Sequence, residues 1–208
     1  MNLAVSEIKA PTIEEAFKIL NESEMMNSGP WVEHSKVAAR TAKEIATHCP
    51  DLDGETAFVL GLLHDIGRRE GWTQLSHTLD GYKYLAQLGF NDAASICLTH
   101  SFPIKDVYTY HGEFDCSQDD LQIIVSHLES TTYNDYDRLI QLCDAISLPH
   151  GAVVMEKRLV DVVMRHGLPE WTLRKWKSYF ELKQYFDQQS KCNIYTLISN
   201  IVENTFEW

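Results

Sequence analysis

The sequence predicts an all-α fold, with about nine helices in a single domain. Apolar residues recur at helical spacing in most segments, and several segments begin at a capping residue or end at a glycine or proline. Strand-like alternation is scarce, and no repeat, low-complexity stretch or Gly/Ser linker interrupts the 208 residues. Since a chain of this length can bury one substantial core, we expect a single domain over residues 1–208.

Helix signals are clearest near the N-terminus. Thr12 followed by Glu15 is a capping-box pattern at the start of "TIEEAFKIL". The next segment, "PWVEHSKVAARTAKEIATHC", has its apolar residues on one helical face. Asp53 is then expected to cap a helix that ends near Ile66 and is apolar on all sides, which is typical of a helix at the centre of a core.

Two shorter helices and a loop are predicted in the middle of the chain. Ser76 is expected to cap "HTLDGYKYLAQLG", which ends at Gly89. Asn91 is expected to cap "DAASICLTHS", which Pro103 prevents from continuing. The aromatic and polar segment "DVYTYHGEF" is predicted to be a loop.

The second half of the chain contains five further helical patterns. They lie in "DDLQIIVSHLES", "DYDRLIQLCDAISL", "GAVVMEKRLVDVVMRHG", residues 169–189 and "NIYTLISNIVEN". The fourth of them concentrates basic residues among aromatics: Arg174, Lys175, Lys177 and Lys183. Such a helix either covers an anionic ligand or, more commonly, packs on the core and leaves its basic face in solvent.

The composition is that of an acidic globular protein. Hydrophobic residues make up 44% of the chain and charged residues 23%, and the formal net charge is −12. Binding of long nucleic acid is not expected, because it depends on Lys and Arg neutralising phosphates. A small phosphorylated ligand remains compatible with this charge, since a bound divalent cation reverses the local field.

The sequence also predicts the cellular compartment. No apolar run approaches the roughly 20 residues that cross a membrane. The N-terminal "MNLAVSEIKAP" has no signal-peptide pattern, so we expect a cytoplasmic protein without membrane association. The cysteines are dispersed without a C-x-x-C pair, which argues against a disulfide framework or a cysteine zinc site. We expect reduced core residues at Cys49, Cys97, Cys116, Cys143 and Cys192.

The stretch "GLLHDIGRRE" places His64 and Asp65 at the end of the apolar helix. A buried carboxylate is costly unless another group compensates its charge. One interpretation is a structural ion pair between Asp65 and Arg68 or Arg69. The alternative is a functional site, which the rest of the chain favours because it supplies more groups of the same kind.

Four further polar residues lie on apolar helix faces: His34, His77, His100 and Asp144. Each alone has a structural explanation, such as a hydrogen-bonded core histidine or a capping aspartate. Together with His64 and Asp65 they form a ligand set suited to a divalent transition metal, and helix bundles commonly hold metals with inward side chains from several helices. At a helix end His64 and Asp65 can both turn inward, and one carboxylate can bridge two ions.

The order of these residues resembles the HD superfamily of metal-dependent phosphohydrolases. "WVEHSKVAARTAKEIA", "GLLHDIGR" and "LIQLCDAI" are similar to the first, second and last HD motifs, and carry His34, His64-Asp65 and Asp144. The resemblance covers roughly residues 30–150 and implies an HD-type helical bundle. Residues 151–208 are expected to add helices that pack on this core.

The resemblance extends to HD proteins with two metals. "LSHTLDGYKYLAQLGF" and "ICLTHSFP" are similar to the motifs that add two histidines in HD-GYP phosphodiesterases and in enzymes that split dinucleoside tetraphosphates. His77 and His100 would then be the extra ligands, with a mononuclear site lacking them as the alternative. Two ions are implied, with iron or manganese preferred and zinc, cobalt, nickel or magnesium as alternatives. The GYP motif itself is absent, so cyclic dinucleotide hydrolysis is not expected.

The resemblance also implies residue roles. Asp65 would bridge the two ions, and Asp144 would bind one ion and orient the attacking water. Arg68 stands where many relatives have lysine and would contact the substrate phosphate, unless it is a surface residue or the partner of Asp65. Ser101 and Lys105 are candidates for lining the pocket. The remaining histidines are expected at the surface: His48, His111, His127, His150 and His166.

The function that follows is hydrolysis of a small nucleotide or other phosphate ester by a metal-activated water, in a monomer or homodimer. Two alternatives use the same residues. One is a mixed-valent di-iron oxygenase, which has this four-histidine, two-aspartate ligand set. The other is a non-catalytic module that senses a nucleotide.

Overall fold

The computed structural model describes residues 8–206, and nearly all regular structure in that range is α-helical. The all-α prediction is confirmed, with ten α-helices in the described range where about nine were expected. The helices are α1 (Ile13–Met26), α2 (Pro30–Ala46), α3 (Gly54–Leu63), α4 (Ser76–Gln87), α5 (Asn91–Thr99), α6 (Gln118–Ser130), α7 (Asp135–Ile146), α8 (Met155–His166), α9 (Thr172–Ser190) and α10 (Ile201–Phe206).

Short elements connect these helices. Three-residue to five-residue 3-10 helices occupy Ile66–Glu70, Val107–Thr109 and Ile194–Thr196. Two antiparallel strands, β1 (Ser147–Leu148) and β2 (Gly151–Ala152), form a small hairpin between α7 and α8. The segment predicted to be a loop therefore contains one helical turn at Val107–Thr109.

Three of the five predicted helix-end residues are confirmed, and two are wrong. Thr12 and Glu15 form the capping box of α1, and the Asp53 carboxylate accepts from the Thr56 backbone N–H at the start of α3. Gly89 adopts a φ of 86° after α4, a backbone conformation that favours glycine at a helix end. Ser76 and Asn91 are not caps, since each is the first helical residue. The backbone N–H of Ser76 instead donates to Asp115 Oδ1 at 2.8 Å, so a remote carboxylate caps α4.

Two C-terminal helices were predicted with the wrong bounds. The helix expected from Gly151 begins at Met155, because residues 151–152 pair with β1. In addition, the Thr205 hydroxyl accepts a hydrogen bond from the Val154 backbone N–H, and the Tyr195 hydroxyl accepts one from the Met155 backbone N–H. The last predicted helix is split into a 3-10 turn and α10. These ends depend on partners about 40 to 50 residues away, which a local pattern does not contain.

Helix α3 lies at the centre of the core, as its apolar composition predicted. It packs on α1, α2, α5 and α7, and its closest approach is to α2, where a Cβ at Gly61 would lie 2.9 Å from the Ala39 Cα. A second, smaller apolar cluster lies under α6 around Phe102, Ile124 and Leu128. Helix α9 packs on α7, α8 also packs on α7, and α10 packs on β2.

One glycine contact brings α4 against the end of α3. A Cβ at Gly67 would lie 2.0 Å from the His77 carbonyl oxygen and 2.4 Å from the Gly81 amide nitrogen. A hydrogen atom at this position is therefore required for the 3-10 helix and α4 to touch through their backbones. This contact holds His77 next to the turn that carries His64 and Asp65.

All five cysteines are free thiols, and Cys49, Cys97 and Cys143 are buried in the core as expected. Cys116 and Cys192 are partly exposed rather than core residues. Between residues 8 and 206, the helices fall short of the combined length and apolar character that a bilayer-crossing segment needs.

Candidate metal centre

The six histidine and aspartate residues singled out in the sequence converge on one point of the fold. They come from five helices or helix ends: His34 in α2, His64 and Asp65 after α3, His77 in α4, His100 after α5 and Asp144 in α7. Helix α3 ends at Leu63; His64 keeps helical dihedrals as its C-cap, and the chain leaves the helical path at Asp65, with a φ of −101° and a ψ of 14°. His64, Asp65, His77 and His100 are buried.

Three of the residues form one cluster of potential ligand atoms. His34 Nε2 lies 3.1 Å from His64 Nε2 and 3.0 Å from Asp144 Oδ1. His64 Nε2 lies 3.7 Å from the same Asp144 oxygen. Two nitrogens that bind one ion at ~2.1 Å are themselves about 3 Å apart, so these separations fit a shared metal.

The second cluster contains the other two histidines. His77 Nε2 and His100 Nε2 are 3.3 Å apart, and they lie 3.0 and 3.6 Å from Asp65 Oδ1. Asp65 also groups with His34 and His64 within the reach of one ion. It is thus the common member of two ligand groups, which is the arrangement expected of a bridging carboxylate.

The backbone fixes the ring orientation of three histidines. His64 Nδ1 donates to the Gly61 carbonyl at 2.7 Å, His100 Nδ1 donates to the Ile96 carbonyl at 3.3 Å, and His77 Nδ1 donates to the Gln74 carbonyl. Since Nδ1 carries the proton, a neutral ring presents a bare Nε2 lone pair to the cluster.

These lone pairs test whether a metal fits the site. The Nε2 atoms of His77 and His100 face each other at 3.3 Å, and with neutral rings neither has a proton to share. Two facing lone pairs repel unless a cation lies between them. The donor set of imidazole nitrogens and carboxylate oxygens therefore suits a divalent transition metal.

The charges in the cluster influence one another. Burial would raise the pKa of Asp65, but Arg68, His77 and His64 outweigh it and hold the pKa well below its ordinary value. Burial is likewise outweighed at Asp144, where hydrogen bonds and charge from His34 and His64 lower the pKa. Burial lowers the pKa of His100 to about 3. Ionised carboxylates and a neutral imidazole are the forms that bind metal.

Arg68 contacts Asp65 from the side opposite the histidines. Its Nε donates to Asp65 Oδ2 at 2.7 Å, and its Nη1 donates to the Thr73 carbonyl at 3.2 Å. The ion pair considered from the sequence therefore exists, but it uses Oδ2 and leaves Oδ1 facing His77 and His100. The structural and the functional interpretation of Asp65 are both compatible with this geometry.

Comparison with protein-family models identifies the family of the chain. A family model described as HD domain matches residues 31–148, more than half of the chain. The chain belongs to the HD domain family. Membership places it in a superfamily of metal-dependent hydrolases, as the motif resemblance implied. No curated protein and no solved structure matches the chain.

A cavity of about 390 Å³ opens beside the candidate metal ligands of this HD domain. Its lining includes four of the candidate ligands, and we call this part of the lining the metal end: Asp65, His77, His100 and Asp144. A second cleft of about 420 Å³ adjoins on the side of His34. The exposed Trp72 borders both clefts.

Two sequence-based candidates for substrate contact differ in position. Ser101 lines the cavity. Lys105 does not line either cleft: it is exposed, its amine donates to the Thr131 carbonyl, and it lies 4.8 Å from the centre of the Tyr133 ring. These contacts hold the side chain on the outer surface, so the geometry does not support a substrate-binding role for Lys105.

Lys175 is the basic residue of α9 that reaches the cavity. It is 4% exposed, and its Nζ donates to the Ser101 and Thr109 carbonyls at 3.1 and 2.9 Å. Burial lowers the pKa of Lys175 to about 8. Arg174 and Lys177 are solvated, as the interpretation of α9 as a core-packed helix expects, while Lys175 lies at the cavity.

Sequence reasoning missed other residues of the cavity. His111 was expected at the surface, but it is half-buried, packs on Trp171 at 4.3 Å between ring centres and lines the cavity. His127 is also half-buried, beside Ser95 at 3.0 Å. Arg158 and Arg165 were not considered, although their helical spacing in α8 would place them on one face.

Proposed function

We propose that this HD domain is a metal-dependent phosphohydrolase that acts on a small nucleotide or other phosphate ester. The observation that carries the proposal is the pair of ligand groups sharing Asp65 at the end of a cavity with basic walls. Metal ligands at the bottom of a cavity are suited to catalysis, because a substrate can reach the ions.

In this proposal each residue of the cluster has a role. His34, His64 and Asp144 would hold one ion, His77 and His100 the other, and Asp65 would bridge them. The ions, once bound, would supply a water of lowered pKa and positive charge for the phosphoryl oxygens. Asp144, whose side chain is 23% exposed, would accept a hydrogen bond from that water and orient it.

Arg68 acts on the same site through Asp65. Its hydrogen bond to Oδ2 fixes the rotation of the carboxylate and leaves Oδ1 facing the histidines. The side chain also borders the cavity, so the guanidinium can contact a phosphate as well as orient Asp65. Such partners of metal ligands typically change metal affinity when they are replaced.

The first experiment measures metal content per chain on protein purified without chelators or a histidine tag. About two ions are expected in the wild type, about one in His77→Ala, and about two in the matched variant His127→Ala, whose half-buried histidine lies away from the cavity. A metal-free wild-type protein, even after reloading, would overturn the proposal.

The second experiment distinguishes the chemistries that this ligand set supports. Metal-loaded protein is tested for phosphate release from a panel of nucleotides and phosphate esters, and iron-loaded protein for oxygen uptake. Metal-dependent phosphate release that is lost in Asp144→Asn is the expected result. Oxygen uptake without phosphate release would instead identify a di-iron oxygenase, and tight nucleotide binding without turnover a sensing module.

A further inference from the structure

The cavity walls contain buried polar atoms that lack hydrogen-bond partners. Among the described residues, four such atoms belong to side chains that line this one cavity: Thr73 Oγ1, His111 Nε2, Arg158 Nε and Trp176 Nε1. Buried polar groups are normally paired, so unpaired ones beside a cavity are candidates for a bound ligand, which these solvent-inaccessible atoms would meet after a small rotation of their side chains. Arg158 Nε and Trp176 Nε1 are donors, which indicates a ligand with oxygen acceptors.

The same wall carries uncompensated positive charge. Arg158 Nη1 and Arg165 Nη2 both bind Asp161 Oδ2, at 2.7 and 2.9 Å. One carboxylate thus balances two guanidinium groups, and Lys175 adds a third basic side chain to the cavity. We call Arg158, Arg165 and Lys175 the basic wall. It lies in a chain of net charge −12, so the local charge is opposite to that of the molecule.

The basic wall and the metal end belong to different parts of the chain. The family match ends at residue 148, whereas the basic wall comes from α8 and α9. Helix α8 faces the cavity with residues at helical spacing: Arg158, Leu159, Val162, Arg165 and His166. The motif core therefore supplies the metal ligands, and the C-terminal helices supply a separate binding surface.

We propose that Arg158 and Arg165, together with the indole N–H of Trp176, form a second anion subsite, so that the substrate carries two anionic groups. One group would lie at the metal end and the other at the basic wall. This inference rests on the proposed function for the first group, while the subsite itself depends only on α8 and α9. A cavity of about 390 Å³ restricts the substrate to a small molecule.

Calorimetry on manganese-loaded protein tests the subsite with three probes. Methylphosphonate has one anionic group, methylenebisphosphonate has two adjacent groups, and 3-phosphonopropionate has a phosphonate and a separated carboxylate. We expect at least one two-group probe to bind the wild type ten times more tightly than methylphosphonate. In Arg158→Gln this affinity advantage should fall below threefold, while the affinity for methylphosphonate should change less than twofold.

Arg138→Gln is the matched control variant. Arg138 Nη1 binds Asp135 at 2.8 Å, the same three-residue spacing as Arg158 and Asp161, but it lies outside the cavity. It should retain the full advantage of the two-group probe. If Arg158→Gln folds poorly, Arg165→Gln tests the subsite instead, because the Arg165 side chain is 50% exposed. We expect this variant to reduce the affinity advantage of the two-group probe at least threefold.

A metal-free arm separates this inference from the proposed function. In chelator-treated protein, inorganic phosphate should bind at least threefold more weakly to Arg158→Gln than to wild type and Arg138→Gln, as measured by phosphorus NMR. Arg158-dependent phosphate binding in a protein that takes up no metal would support the subsite and overturn the phosphohydrolase. Two results would contradict the subsite and leave the proposed metal centre unaffected. One is that no two-group probe binds the wild type more tightly than methylphosphonate does; the other is that neither Arg158→Gln nor Arg165→Gln reduces this difference in affinity.

Discussion

At the residue scale, Asp65 explains why a charged pair stands at the end of the most apolar helix. Its two carboxylate oxygens face different partners: Oδ2 accepts from Arg68, and Oδ1 faces His77 and His100. Arg68 keeps the carboxylate ionised and fixed in rotation, which is what a buried metal ligand needs. The sequence presented an ion pair and a metal ligand as alternatives, but a carboxylate has two oxygens and can be both.

Lys175 gives a pH-dependent prediction at the same scale. Its pKa is about 8 in the folded chain because of burial, against an ordinary value of 10.5. Between these pH values the unfolded state binds more protons, so the free energy of unfolding rises with pH. The neutral amine keeps two N–H donors for the Ser101 and Thr109 carbonyls.

We therefore expect the free energy of unfolding of metal-free wild type to rise, relative to Lys175→Met, by on the order of 3 kcal/mol between pH 8 and 10.5. Urea denaturation of both proteins across this pH range measures the difference, in which the titration of other groups cancels. A difference independent of pH would show that Lys175 has an ordinary pKa.

At the element scale, helix ends were predicted correctly at Thr12 and Asp53, where the cap is local, and not at α4 or α8, where the capping partner is remote. Thr12 and Asp53 lie within three residues of the N–H groups they cap. The start of α8 instead depends on Thr205 and Tyr195, which reach it from the end of the chain. A periodic pattern around Gly151 contains no information about those partners.

Gly67 gives a prediction about how α4 is positioned. An alanine Cβ there would overlap the backbone of α4 at His77 and Gly81, and backbone cannot move aside as a side chain can. Gly67→Ala should reduce stability by about 1–3 kcal/mol or more. Because α4 carries His77, the variant should also bind about one metal ion fewer per chain.

Thermal unfolding and elemental analysis of Gly67→Ala measure both effects. The control is Gly29→Ala, where the added Cβ would meet only the Trp31 side chain, at 3.2 Å, and the backbone is extended. It should keep its metal content. A Gly67→Ala protein with full metal content would contradict the role of this contact in placing His77.

At the scale of the whole molecule, the candidate metal centre connects helices that are distant in sequence. Its six residues extend from His34 to Asp144 and come from α2, α3, α4, α5 and α7 or their ends. These side chains converge only in the folded chain, so metal binding and folding are linked. A ligand that binds the native state alone stabilises it by mass action.

Metal should therefore raise the melting temperature of the whole domain. At a free metal concentration of about 100 times the Kd, the expected stabilisation is about 2.7 kcal/mol for one site. Calorimetric melting with manganese and with excess chelator measures it in the wild type and in His127→Ala. His34→Ala should show a smaller shift, and equal melting temperatures of the wild type in both buffers would contradict the linkage.

The sequence by itself determined the helical class, the local caps and the set of six histidines and aspartates. Helical periodicity and capping act over a few residues, and the order of the motif residues is written in the chain, so both can be read without coordinates. Only the tertiary structure decided that Asp65 is shared by two ligand groups, that Lys105 points away and that Arg158 and Arg165 face the cavity. Those facts depend on how helices pack, because an arginine on α8 has the same local pattern whether its helix face meets solvent or a binding site.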